Sequence, residues 1–271
     1  MVGATDWEAA IWEFGVVVAV VVWLMSSSGL HDRRVLVTGA SRGLGRAICE
    51  RLVAEGAIVV ATASSEGGLH DLARHLPGIT TIVADLSNTD DVDKLGRLAN
   101  AALPLYGLVN CAGIAITSPF LETDIDDFDR TFRINVRAVM KLSQSVAKRM
   151  ATDGGGSIVN ISSICGSHPL RDHASYCTSK AALEHLSRCM ALELGKHGIR
   201  VNCIAPTITM TDMGRRAWSD PVKAKPMMER TPLGRFAEPE DTASAVVYLL
   251  SPQSGMVHGQ TIAIDGGFLI A

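Results

Sequence analysis

Tyr176 and Lys180 stand four residues apart in 175-SYCTSKAALEHL-186, and the chain has only three tyrosines. That spacing sets a phenol and an ammonium on one face of a helix, one turn apart. A phenol with a pKa of about 10 is a poor base at neutral pH, and a neighbouring cation favours its ionised form. The pair suits proton transfer, and equally a solvent-facing contact with no chemistry; spacing alone leaves both open. A second candidate is 38-TGASRGLG-45, where Gly39, Gly43 and Gly45 punctuate a loop that also holds Ser41, Arg42 and Leu44. Glycines there let backbone approach a pyrophosphate, which then sits at a helix N-terminus and its partial positive charge. The spacing is GxxxGxG rather than the commoner GxGxxG, so its context must carry the reading.

That context is an alternation of short Val/Ile-rich runs with longer helical stretches. Strands are expected at 35–38, 57–62, 80–85, 106–112, 157–162, 200–205 and 260–265. Helices are expected at 43–56, closed by glycine, and at about 125–150, 174–197 and 238–250. Near-continuous apolar strands alternating with helices predict an α/β, doubly wound fold: a single parallel sheet with helices on both faces. The glycine-rich turn then joins the first strand to the first helix. The stretch 206–236, rich in Met, Pro and charge, reads as an insertion acting as a lid over the carboxyl ends of the strands, where such folds bind ligands.

The chain has 271 residues, 47% of them apolar, and a formal charge of −3. One large domain is expected. No long Lys/Arg run gives a nucleic-acid footprint. The six cysteines form no CxxC pair and no metal-ligand spacing with histidine, which points to reduced, buried thiols in a cytoplasmic protein and to no metal site. Residues 9–25 form an apolar run interrupted by Glu13, shorter than the roughly 20 apolar residues of a spanning helix and preceded by acids rather than a basic segment. Two readings survive: a membrane- or self-associating appendage, or an extension of residues 1–24 outside a functional domain of residues 25–271. The second is preferred.

The end of the second strand bears on the cofactor. An acid that accepts the ribose 2′-hydroxyl of NAD stands about 20 residues beyond the turn. Here Ala63 and Ser64 occupy that place and Glu66 comes late. With Arg42 in the loop, this favours the 2′-phosphate of NADP(H), with NAD(H) as the alternative.

Taken together, the motifs resemble those of the short-chain dehydrogenase/reductase family over essentially everything after about residue 30. They are TGASRGLG at 38–45, Asp85 after the third strand, 110-NCAG-113, Asn135 in RINV, Ser163 in NISS, 176-YCTSK-180, 202-NCIAPT-207, Thr211 and 265-DGG-267. The family's NNAG is NCAG here, and its PG is Pro206-Thr207. The resemblance implies a Rossmann fold, a homotetramer, and a catalytic set of Asn135, Ser163, Tyr176 and Lys180. In it, Tyr176 gives a proton to a carbonyl oxygen, Ser163 orients that oxygen, Asn135 anchors a relay water, and Lys180 binds the ribose and lowers the phenol pKa. A shift of about three units needs roughly 4 kcal/mol of preferential phenolate stabilisation. It also implies cofactor contacts from the glycine turn, Ala63, Ser64, Asp85, Leu86, Asn110, Ala112, Gly113, Pro206, Ile208 and Thr211.

The lid stretches 206-PTITMTDMG-214 and 218-WSDPVKAK-225 are most similar to family members that reduce small ketoses and dicarbonyls. That similarity implies a substrate pocket of Ser163, Ile164, Leu170, His173 and Trp218, with His173 donating to a sugar hydroxyl. His173 at a helix start and Trp218 as a lid anchor have equally plain structural readings. The expected activity is an NADP(H)-dependent carbonyl reductase of a small, xylulose-like ketose or dicarbonyl, reversible as a polyol dehydrogenase. The alternatives are a reductase of another ketone class, such as 3-oxoacyl thioesters, and a non-catalytic cofactor-binding subunit.

Overall fold

The computed structural model describes residues 28–101 and 103–271; the apolar run at 9–25 and the proposed boundary at residue 25 lie outside them. Seven parallel strands are β1 Arg34–Thr38, β2 Ile58–Ala63, β3 Thr80–Val83, β4 Gly107–Asn110, β5 Gly156–Ile161, β6 Ile199–Pro206 and β7 Thr261–Ile264. They form one sheet in the order β3-β2-β1-β4-β5-β6-β7. The chain reverses direction across the sheet between β1 and β4, and the crevice at that switch point is where such folds take ligands. Among the described residues, no helix is long and apolar enough to cross a membrane.

Period-two alternation explains the two covered faces. In β1, Val35 and Val37 pack with Ile48 and Leu52 of α1 (Gly43–Ala54) and Val246 and Leu250 of α9 (Pro239–Leu250). Leu36 points the other way, among Leu95 of α3 (Thr89–Ala101) and Leu142, Val146 and Met150 of α5 (Val139–Thr152). Each fully buried leucine contributes about 1.5–3 kcal/mol. Helix α2 (Glu66–His75) joins the first layer through Leu69 and Leu72. Helix α6 (Ala174–Leu194) joins the second through Ala191.

The helix expected over 125–150 is interrupted. Helix α4 (Ile125–Phe132) passes into a π-helical segment, Arg133–Ala138, before α5 begins. The axis is continuous in sequence pattern, but one register step is inserted, and such bulges cluster at functional sites. The lid stretch folds into α7 (Asp212–Ala217) and α8 (Pro221–Glu229). It is pinned at its base, where Ala237 N–H donates to Ile208 O and Met210 N–H donates to Ala237 O, at 3.1 and 2.8 Å.

Candidate active site

The glycine turn closes on itself by contact. Gly39 adopts φ +68°, and a Cβ there would lie 2.9 Å from Ala112 Cα; one on Gly45 would lie 2.2 Å from Gly39 O. No other residue type fits either place, and the turn delivers the N-terminus of α1 to the switch-point crevice. That crevice is a cleft of about 440 Å³, within the usual range for a small-molecule site. Its wall includes Gly39, Ser41, Arg42, Gly43, Leu44, Gly45, Ala63, Ser64, Asp85, Leu86, Ala112, Gly113 and Thr211, all expected from sequence.

Several expected contacts lie elsewhere. Asn110 is buried and donates through Nδ2 to Ser143 Oγ and Asn160 Oδ1, at 3.1 and 2.7 Å. It braces the strand ends and does not line the cleft. Pro206 ends β6, and Ile208 accepts from Ala237 at the lid base; neither lines the cleft. Residues unforeseen from sequence do line it: Thr62, Ile114, Ile134, Asp212 and Arg216.

The cleft fits a dinucleotide with a 2′-phosphate. Thr62 Oγ1, at the end of β2, is buried and has no hydrogen-bond partner among the described residues, so a polar ligand group is its natural complement. Arg42, at the N-cap of α1, is exposed and makes no side-chain cap bond. The carboxylate that would favour an unsubstituted ribose is absent from the end of β2, since Glu66 begins α2 and is exposed. Asp85 instead accepts from Ser87 N–H at 2.8 Å, ordering the loop after β3.

Behind Gly113 of the cleft wall, α6 presents Tyr176 and Lys180 one turn apart; neither is itself part of that wall. Lys180 is buried and donates through Nζ to Ile161 O at 2.8 Å, with the ammonium 5.6 Å from the Tyr176 ring centre. Burial lowers the Lys180 pKa to about 8. The Ser163 hydroxyl accepts from Cys165 N–H at 3.2 Å and is near enough to the Tyr176 phenol to act on it. Burial, and then the neighbouring Cys165 thiol, push the phenol above its ordinary value, while Ser163 acts in the opposite direction. Desolvation is the dominant influence on the phenol and acts against the lowering expected of Lys180. Lys180 Nζ lies over the face of the Tyr176 ring and spends a hydrogen bond on Ile161 O.

Asn135 lies in the π-helical segment and is 1% exposed. Its Oδ1 accepts from Ile114 N–H at 2.9 Å; its Nδ2 donates to Ile114 O at 2.9 Å and to Ser179 Oγ at 3.0 Å. The side chain thus pairs with one residue's backbone as a strand would, and ties the loop after β4 to α6. Gly113 packs beside it, where a Cβ would lie 3.2 Å from Asn135 Oδ1 and 3.4 Å from Lys180 Nζ.

The substrate-side residues divide. Ile164 is buried in a small apolar cluster with Cys165, Cys177 and Phe268, against which Leu170, Tyr176 and Met227 pack. Met227 from the lid and Phe268 from the C-terminus were not foreseen there. His173 precedes α6, its ring 6.4 Å from that of Tyr176. Its Nδ1 lies 2.6 Å from Arg171 O, and since a carbonyl can only accept, Nδ1 carries the proton. That leaves Nε2 as the ring nitrogen free to meet a substrate hydroxyl. Trp218 takes the anchoring role: its ring lies 5.7 Å from that of Phe236, with Lys223 Nζ 4.7 Å from its centre. All six cysteines are free, and Cys49, Cys165, Cys177 and Cys203 are buried.

Comparison with known proteins agrees with this geometry. Residues 39–269 match the family model described as enoyl-(acyl carrier protein) reductase. L-xylulose reductase of Homo sapiens is 46% identical over 240 residues, covering 88% of this chain and 97% of the relative. D-erythrulose reductase of Gallus gallus is 46% identical over 242 residues, covering 89% and 97%. Among solved structures, gluconate 5-dehydrogenase from Burkholderia cenocepacia, in complex with NADP and tartrate, superposes with a TM-score of 0.87 at 29% identity, covering 92% of this chain and 99% of that one.

Proposed function

The chain belongs to the short-chain dehydrogenase/reductase family, and from that premise we propose that it is an NADP(H)-dependent carbonyl reductase. Its substrate is a small ketose or dicarbonyl, and the reverse reaction oxidises a polyol. The observation that carries the proposal is the buried Lys180 ammonium, which lies over the Tyr176 ring at 5.6 Å and packs against Gly113 of the cleft wall. The relatives named for ketose reduction support the substrate class.

Bound NADPH supplies the hydride; the chain's own residues do the rest. The glycine turn and the α1 N-terminus would hold the pyrophosphate, and Arg42 would pair with the 2′-phosphate. Ser163 donates to the carbonyl oxygen and orients it. Tyr176, kept protonated by its buried setting, is the proton donor to that oxygen. A phenol held in its neutral form is the correct state for reduction. Oxidation requires the phenolate, which the Lys180 ammonium and the oxidised nicotinamide would stabilise. Asn135 fixes the Ile114 loop against α6 and anchors the relay water. His173 Nε2 accepts from a substrate hydroxyl.

A panel of four- to six-carbon ketoses with both cofactors tests the proposal. Turnover of xylulose- or erythrulose-like ketoses with NADPH is expected, and turnover confined to thioesters would replace the substrate class. Tyr176→Phe should lower kcat by about a hundredfold or more with NADPH binding retained; native turnover would remove Tyr176 from the reaction. The proposed assembly is a cytoplasmic homotetramer built on the 125–152 and 174–194 helices and the C-terminus. Exposed Met140, Leu192 and Ile270 support it, and a monomer mass by light scattering would refute it.

A further inference from the structure

Tyr176, Lys180 and Glu184 occupy α6 at i, i+4 and i+8, one stripe facing the end of β5. Glu184 is 7% exposed, and the reaction as described makes no use of it. Buried carboxylates are costly unless paired, so its partners are informative. Ser162 donates through Oγ to Glu184 Oε1 at 2.7 Å. Gly166 nests against the same oxygen: a Cβ there would lie 2.3 Å from Glu184 Oε1 and 3.2 Å from Ser162 Oγ. These two contacts bracket the turn that carries Ser163 and Ile164. One residue earlier, Ile161 O accepts from Lys180 Nζ.

The electrostatic setting points the same way. Desolvation acts most on the Lys180 ammonium, and after it Cys111 after β4, Cys203 on β6, Cys165 after β5 and Glu184, with the Tyr176 ring of its own helix beneath it. Burial raises Cys111 to about 12, and Cys165 and Cys203 to about 11, and it raises Tyr176 too. At neutral pH those four are uncharged. Glu184 is the one carboxylate in the set.

We infer that Glu184 is a positioning residue. Its carboxylate ties the Ser162–Gly166 turn to α6, holding Ser163 against Tyr176, and it is the counter-charge that keeps the buried Lys180 an ammonium. It touches neither substrate nor cofactor and acts through Ser162 and Lys180. This inference rests on the carbonyl-reductase reading.

The test compares Glu184→Gln, Ser162→Ala and Gly166→Ala with the native chain. Measured are the NADPH Kd by fluorescence from neutral to alkaline pH, kcat on a turned-over ketose, and Tm. Lys180 holds the cofactor as a cation, so native binding should weaken as pH rises through about 8. In Glu184→Gln, loss of the counter-charge should move that weakening to lower pH. Its kcat should fall about tenfold, the order of one charge-assisted hydrogen bond. Ser162→Ala keeps the charge and loses the tie, so kcat falls while the pH of weakening stays put. Gly166→Ala forces the carboxylate aside and should lower kcat in the same direction. If Glu184→Gln binds NADPH with the native pH dependence and keeps kcat within about twofold, the inference is overturned. Should Glu184→Gln fail to fold, a native kcat in both Ser162→Ala and Gly166→Ala overturns it. A native chain that turns over no ketone refutes the reductase reading, and the binding measurement still decides the role of Glu184.

Discussion

Replacing Asn135 by alanine should separate what this side chain holds from what the reaction asks of it. The substitution removes three hydrogen bonds. Ser179 Oγ keeps its donation to Tyr176 O at 2.7 Å, so the groups left without partners are Ile114 N–H and C=O. Each orphaned backbone group costs about 1–3 kcal/mol when buried. Ile114 is only partly buried and water can reach it, which favours the lower part of that range. A total of about 2–4 kcal/mol follows, or a Tm lower by roughly 5–15 °C for a chain of this size. Because Ile114 lines the cleft, kcat should also fall, by at least about tenfold. Asn135→Asp keeps an acceptor for Ile114 N–H but offers Ile114 O no donor, so its Tm should lie between the two. The assay is differential scanning fluorimetry beside NADPH-dependent turnover. An Asn135→Ala protein with native kcat and a Tm within about 2 °C of the parent would refute both the anchoring and the relay roles.

Arg42→Ala should lower kcat/KM with NADPH by about tenfold or more while leaving NADH turnover near its native value, because only a 2′-phosphate uses the second charge; an equal loss with both cofactors would show that Arg42 does not read that group. Folding stability should decline between pH 9 and 11. The thiols of Cys49, Cys111, Cys165 and Cys203, ordinarily near 9.0, are all raised. The folded chain then binds more protons than the unfolded one, so stability present below pH 9 is lost as pH rises. Lys180 works the other way between about 8 and 10.5, but it is one group against four. A urea midpoint that rises from pH 9 to 11 would contradict this.

The sequence by itself determined the strand order along the chain, the glycine turn, and the pairing of Tyr176 with Lys180, because each rests on local physics. Runs of Val and Ile, glycine at a tight turn, and i, i+4 spacing are all readable within a few residues. What lies between distant segments was not readable. The π-helical step at Arg133–Ala138 adds one residue to a helix without disturbing its apolar pattern, so 125–150 reads as unbroken, yet that step seats Asn135 against Ile114. Trp218 could be placed on the lid but not turned toward Phe236, and His173 could not be assigned a tautomer before Arg171 O was beside it. Only the tertiary structure decided the protonation balance at the centre. The i, i+4 spacing supplies a cation for the phenol, but burial raises the phenol pKa. The same burial makes the Glu184 carboxylate matter, since a charge acts strongly only where water is kept away.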